Sequence, residues 1–194
     1  MKITKKNLNN IPKEWFFFNP INNSHNKYFF KISNKTGVIF FYENNKEKDE
    51  YFAKIKPYIQ WCKTKGINFL IQSSVFLANK YHALGIFFDN KNLLICNKLA
   101  LTSSNKKFLT AGKVHSLNEA NKFGKLLNMV FISNVFETKS YPEKKKLSLL
   151  NFFSICFLLK KKKVFALGGV NKNNFKKLKN KYLYGFGAIS YFKS

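Results

Sequence analysis

Residues 163–174, KVFALGGVNKNN, run from an apolar segment into two adjacent glycines and then into what reads as the first turn of a helix. Gly168 and Gly169 let the backbone come close to a neighbour, and the N–H groups that open a helix suit an anion. A bound phosphate satisfies this pattern, and so does a plain tight turn. Other chemistry-bearing residues are scattered. His25 and His82 have no Cys, His, Asp or Glu at ligand spacing, so the sequence predicts no metal site. Glu47, Asp49 and Glu50 cluster at a helix amino terminus, where they complement its dipole. Cys62, Cys96 and Cys156 are odd in number, widely spaced and without a C-x-x-C pair, as expected of reduced thiols in a cytoplasmic protein.

Positioning such residues is the work of regular elements, and their signals recur along the chain. Short β-branched and aromatic runs lie at 14–18, 37–42, 67–72, 85–88, 107–114, 129–136, 163–169 and 183–190. They are continuously apolar, which suits parallel strands covered on both faces. Between them lie helical patterns. In 46–66, Phe52, Ile55, Ile59 and Cys62 form one stripe that Gly66 ends. Segment 116–127 opens with Ser116 and Glu119 at capping-box spacing, and 146–162 is apolar over most of its surface and ends in lysines that suit a helix carboxyl terminus. Strand and helix alternating, with eight strands, predicts an α/β protein, a (β/α)8 TIM barrel forming a single domain over 1–194, its last helix short or missing. In that architecture chemistry belongs to the carboxyl ends of the strands, and phosphate to the loops after strands seven and eight. Gly168 and Gly169 end the seventh and Ser190 the eighth, so the phosphate reading gains on the turn reading.

The formal charge of +26 would ordinarily point to nucleic acid or an anionic surface. All 35 basic residues are lysines, however, and Asn and Phe are abundant too, a combination that the codons of an A/T-rich genome favour. A nucleic-acid reader uses arginine for bidentate and stacking contacts, so no specific nucleic-acid partner is expected and the lysines read as solvated faces. The basic amino terminus has no apolar segment behind it, and the longest apolar stretch, Leu147 to Leu159, is too short to span a bilayer. No membrane partner is expected. A homodimer is admitted by the surplus of phenylalanine and by the short end of the barrel.

In order and spacing, the stretches VHSLNEANKF (114–123), VFISNVFETKSYP (130–142), VFALGGVNKNN (164–174) and GFGAIS (185–190) resemble the second half of the thiamine phosphate synthase and TenI superfamily. The match runs from about Phe69 to Ser190. It implies a (β/α)8 barrel that holds a thiazole phosphate at Gly168, Gly169, Ile189 and Ser190, with Thr138 and Ser140 on the neighbouring loop. A synthase of this family also needs Mg²⁺ and cationic side chains for its pyrophosphate leaving group. In the family these come from a Gln-x-Arg-x-Lys pattern after strand two, an Asn-Asp pair after strand three, an acid after strand four and a Lys after strand six. Phe40, Tyr42 and Asn44 take the first three places here, and Gln72 and Ser73 replace the pair. Phe87 and Phe88 end strand four with Asp89 behind them, and Tyr141 stands at the lysine position.

TenI-type members share the barrel and lack the pyrophosphate machinery; some isomerise a thiazole carboxylate phosphate to its aromatic tautomer, which needs no metal. VHSL (114–117) and VFET (135–138) resemble TenI closely. This resemblance implies His115 as the base that takes and returns the proton, an imidazole being suited to both. Lys113 is placed to pair with a substrate carboxylate. Phe40, Tyr42, Phe87 and Phe88 fit either a pocket floor under a thiazole ring or the core. The expectation is thus a TenI-like thiazole phosphate isomerase with no cofactor, Mg²⁺ entering only if the chain is a divergent synthase; a non-catalytic barrel that binds a small phosphate is the other alternative.

Overall fold

The apolar runs become strands because each must bury both faces, one against the barrel interior and one against helices. The computed structural model describes residues 10–43, 47–88, 108–137, 146–189 and 192, without the side chains of 23–25 and 172. Eight parallel strands form a closed barrel in sequence order. They are β1 (Glu14–Phe18), β2 (Thr36–Phe40), β3 (Phe69–Gln72), β4 (Gly85–Phe88), β5 (Leu109–Val114), β6 (Met129–Ile132), β7 (Lys163–Ala166) and β8 (Leu183–Ala188). Closure comes from β1 pairing with β8 through Trp15 and Gly187.

Alternation along the strands splits the core in two. Trp15, Phe17, Leu70, Phe87, Phe131 and Phe165 belong to the cluster inside the barrel. Phe16, Phe18, Phe40, Ile71, Phe88 and Ile132 belong to the cluster between strands and helices. Phe17 meets Phe87 and Phe131 edge to face, at ring separations of 5.4 and 5.2 Å, the arrangement that aromatic quadrupoles favour. So many large rings fit because other strands leave room. A methyl group on Gly187 would lie 2.6 Å from the Phe17 ring, and one on Gly37 as close to Trp15.

The helices are α1 (Asn23–Phe29), α2 (Lys48–Lys54), α3 (Lys56–Thr64), α4 (Val75–Tyr81), α5 (Leu117–Lys122), α6 (Leu149–Leu158) and α7 (Lys172–Phe175). The single helix expected over 46–66 is divided at Ile55, because Pro57 has no N–H for the carbonyl four residues earlier. The helix expected over 116–127 ends at Lys122 and tightens into a 3₁₀ turn, Gly124–Leu126. Helix α6 starts only at Leu149, where Ser148 Oγ accepts the Asn151 N–H at 3.2 Å. Glu47 stands at the amino-terminal cap of α2, with Asp49 and Glu50 in its first turn, as the dipole reading predicts. Cys62 and Cys156 are buried free thiols, and Cys96 lies outside the described residues. Among the described residues no helix is long and apolar enough to cross a membrane.

Candidate active site at the carboxyl ends of the strands

Strand β5 delivers two side chains to the barrel mouth. Lys113 follows the inward-facing Leu109 and Ala111 at two-residue spacing, and its ammonium lies 5.6, 5.8 and 5.7 Å from the ring centres of Phe17, Phe41 and Phe87. Three ring faces around one cation attract it by their quadrupoles. His115 follows the strand directly. Ser116 caps α5, its Oγ accepting the Glu119 N–H at 3.1 Å. The Glu119 carboxylate reaches back one residue further than in a capping box, accepting the His115 backbone N–H at 2.8 Å and lying 3.2 Å from His115 Nδ1. An acceptor at Nδ1 selects the tautomer with its proton there and places the imidazole lone pair on Nε2.

The glycine turn lies beside the end of β6. Gly168 and Gly169 have φ of 91° and 63°, a left-handed backbone that disfavours any other residue. The turn is bonded to the neighbouring loop, since Val135 N–H donates to Leu167 O and Phe136 N–H to Gly168 O at 3.0 and 3.1 Å. A methyl group on Gly169 would collide with the Glu137 carbonyl oxygen, and one on Gly168 would lie 2.9 Å from Asn134 Oδ1. Protein backbone is therefore one partner of this close approach. Asn171 caps α7 by accepting the N–H groups of Asn173 and Asn174, both at 3.0 Å. Asn174 returns the favour to Asn171 N–H at 2.8 Å and donates Nδ2–H to Gly169 O at 2.7 Å. The N-x-x-N spacing carries the signal for this cap in the sequence, and the tie to Gly169 shows only in the fold. Ile189 packs against the interior cluster at the end of β8. Thr138, Ser140 and Ser190 lie outside the described residues.

Among the described residues, four of the five buried polar ones, Asn19, Gln72, Ser133 and Asn134, stand at the carboxyl ends of strands, the exception being Thr36. Sequence reasoning missed Asn19, Ser133 and Asn134, whose signal is a polar residue directly after an apolar run. Ser133 Oγ donates to Asn134 Oδ1 at 2.5 Å, and Asn19 Oδ1 accepts the Ile21 N–H at 3.0 Å. Gln72 is spent on structure, its Oε1 accepting the Tyr42 N–H at 3.2 Å.

Of the two readings of the aromatics, core packing holds for three of the four. Phe40, Tyr42 and Phe88 face the helix layer, and of the four only Phe87 points into the barrel. Strand alternation decides this, because Ile39 of β2 and Phe41 directly after it belong to the interior cluster. At the ends of β2, β3 and β4 the described residues are Phe41, Tyr42 and the exposed Glu43, then Gln72 and Ser73, then Phe87 and Phe88. Mg²⁺ takes carboxylate oxygens, and among these residues only Glu43 offers one; Asn44, Asp89 and Tyr141 lie outside the described residues. No group of three metal-ligating side chains occurs among the described residues.

The family model for thiamine monophosphate synthase matches residues 31–192. The chain belongs to that family. Among curated relatives, the thiamine-phosphate synthase of Prochlorococcus marinus is 30% identical over 149 residues, which is 75% of this chain and 42% of that protein. The chain thus spans less than half the length of that relative. The synthase of Fusobacterium nucleatum is 27% identical over 150 residues, 76% of this chain and 71% of that protein. In three dimensions a thiamine phosphate pyrophosphorylase from Pyrococcus furiosus superposes with a TM-score of 0.70, covering 94% of this chain and 87% of that one at 18% identity. That last likeness establishes the barrel fold.

Proposed function

We propose that this member of the thiamine monophosphate synthase family acts in thiamine biosynthesis as a TenI-type isomerase of a thiazole phosphate. The observation that carries the reading is the Glu119-bound His115 next to the ring-caged Lys113 at one strand end. His115 Nε2 takes a proton from one position of the ring and returns it to another, so the substrate's formula is unchanged and no co-reactant is required. Lys113 pairs with the substrate carboxylate. Phosphate is held at the turn of Gly168 and Gly169 together with Ile189, and the family resemblance adds Ser190, Thr138 and Ser140 as its expected contacts. Pyrophosphate chemistry is not part of this reading, because no described cationic side chain directly follows β2, β3 or β4. The synthase reading draws on the names of the curated relatives.

The test is ultraviolet absorbance of a thiazole carboxylate phosphate incubated with the protein, against an enzyme-free blank. Acceleration is expected, and His115→Ala should lose roughly 10²- to 10⁴-fold in kcat while still binding the ligand. A variant as fast as the parent would remove His115 from the mechanism. No acceleration in the parent, with ligand bound, would leave a binding barrel. Formation of thiamine phosphate from the thiazole phosphate and an aminopyrimidine pyrophosphate with Mg²⁺ would establish the synthase instead.

A further inference from the structure

The opposite end of the barrel carries a basic cleft that the proposed reaction does not use. It has a volume of about 390 Å³ and is formed where α6 leads into β7 and where the chain enters β8. Lys160, Lys161, Lys162, Lys163 and Lys181 line it together with Tyr184. Lys163 Nζ lies 3.9 Å from the centre of the Tyr184 ring, and Tyr184 is anchored by donating its hydroxyl to Ile11 O at 2.9 Å. No carboxylate lines this cleft. Among the described acidic residues only Glu14, the first residue of β1, lies at this end, since Glu43, Glu47, Asp49, Glu50, Glu119 and Glu137 all follow strands or open helices at the other.

Helix dipoles and codon bias explain part of this. Lysines after α6 complement its carboxyl terminus, and a lysine-rich chain has lysines everywhere. Neither cause draws Lys163, on a strand, and Lys181, before another strand, into the same concavity. Nor does either relieve the repulsion between them. Burial lowers the proton affinity of Lys162 and Lys163, and for Lys163 the nearby charge of Lys13 adds to the effect. Like charges gathered around one concavity, Lys162 and Lys163 half-buried and Lys160, Lys161 and Lys181 exposed at its rim, lower their energy by sharing a multiply charged anion.

We propose that this cleft binds a chain of linked phosphates, either free oligophosphate or the triphosphate of a nucleotide. Several adjacent negative charges match several ammonium groups, whereas one orthophosphate would reach only two or three of them.

Isothermal titration of the purified protein with inorganic tripolyphosphate, ATP, adenosine and orthophosphate tests this. Tripolyphosphate should bind at one site, weaken as salt is raised, and raise the melting temperature. Lys162→Gln, Lys163→Gln and Lys181→Gln together should weaken it by ~10-fold or more. Lys65→Gln, Lys122→Gln and Lys125→Gln, which remove the same charge from the same barrel end outside the cleft, should change it by less than about threefold. ATP binding more tightly than tripolyphosphate would identify a nucleotide as the source, and equal affinities a free oligophosphate; both support the site. Equal losses in the two triple variants, orthophosphate binding as well as tripolyphosphate, or a single-stranded oligonucleotide binding equally to the parent and the cleft variant would each overturn it. Because the cleft lies at the other end of the barrel, these outcomes are independent of the isomerase assay.

Discussion

Glu119 holds His115 twice with one carboxylate oxygen, once through the backbone N–H and once at the ring. Both side chains are about one-third exposed, so their pairing is worth little as stability; its value is orientation. Glu119→Ala should therefore lower kcat more than it raises KM. In the same variant, nitrogen NMR of the imidazole should show the Nδ1–H tautomer giving way to a mixture with Nε2–H; an unchanged tautomer would mean that something other than Glu119 sets it. The Ser116–Glu119 spacing was legible in the sequence because a cap needs only local geometry. Its destination was not, since whether the carboxylate reaches the cap residue or the one before it depends on how the chain leaves β5. The inward direction of Phe41 in place of Tyr42 was hidden for a related reason, as a run apolar at every position carries no mark of which face is which.

Among the elements, α7 is four residues long, too short to persist by its own hydrogen bonds. Its reciprocal Asn171–Asn174 cap holds it, and the same Asn174 amide ties it to Gly169 O. Asn174→Ala removes both contacts. The expected cost is about 1 to 2 kcal/mol in urea unfolding. If the glycine turn holds the substrate phosphate, KM should rise as well; a loss of stability without any rise in KM would confine Asn174 to a structural role. The existence and order of the strands were readable because burial on both faces imposes a composition. Their ends were not: the runs at 107–114 and 129–136 shorten to Leu109–Val114 and Met129–Ile132, the second ending where Ser133 and Asn134 interrupt the apolar residues.

At the scale of the whole molecule, alkaline pH is the weak direction. Burial pushes the thiols of Cys62 and Cys156 from 9.0 up to about 12, and burial raises Tyr51 well above its ordinary value. Above pH 9 the unfolded chain releases these thiol protons while the native state keeps them, so stability falls as pH rises towards 12. By pH 10 the loss is roughly 1 to 2 kcal/mol per thiol. Lys162 and Lys163, lowered by burial, act in the opposite sense, but they are only half-buried and solvent screens them. Urea midpoints at pH 8 and pH 10 should show the decline, and Cys62→Ala with Cys156→Ala should remove most of it. The packing of the barrel also has an optical consequence. Trp15 is fully buried among the interior rings, its indole N–H donated to Pro12 O at 2.9 Å, while Trp61 lies half-buried in the outer layer on α3. The two indoles thus report separately, one emitting at short wavelength and resistant to acrylamide, the other redder and quenchable. Fluorescence alone can then tell loosening of the helical shell from opening of the cylinder within it.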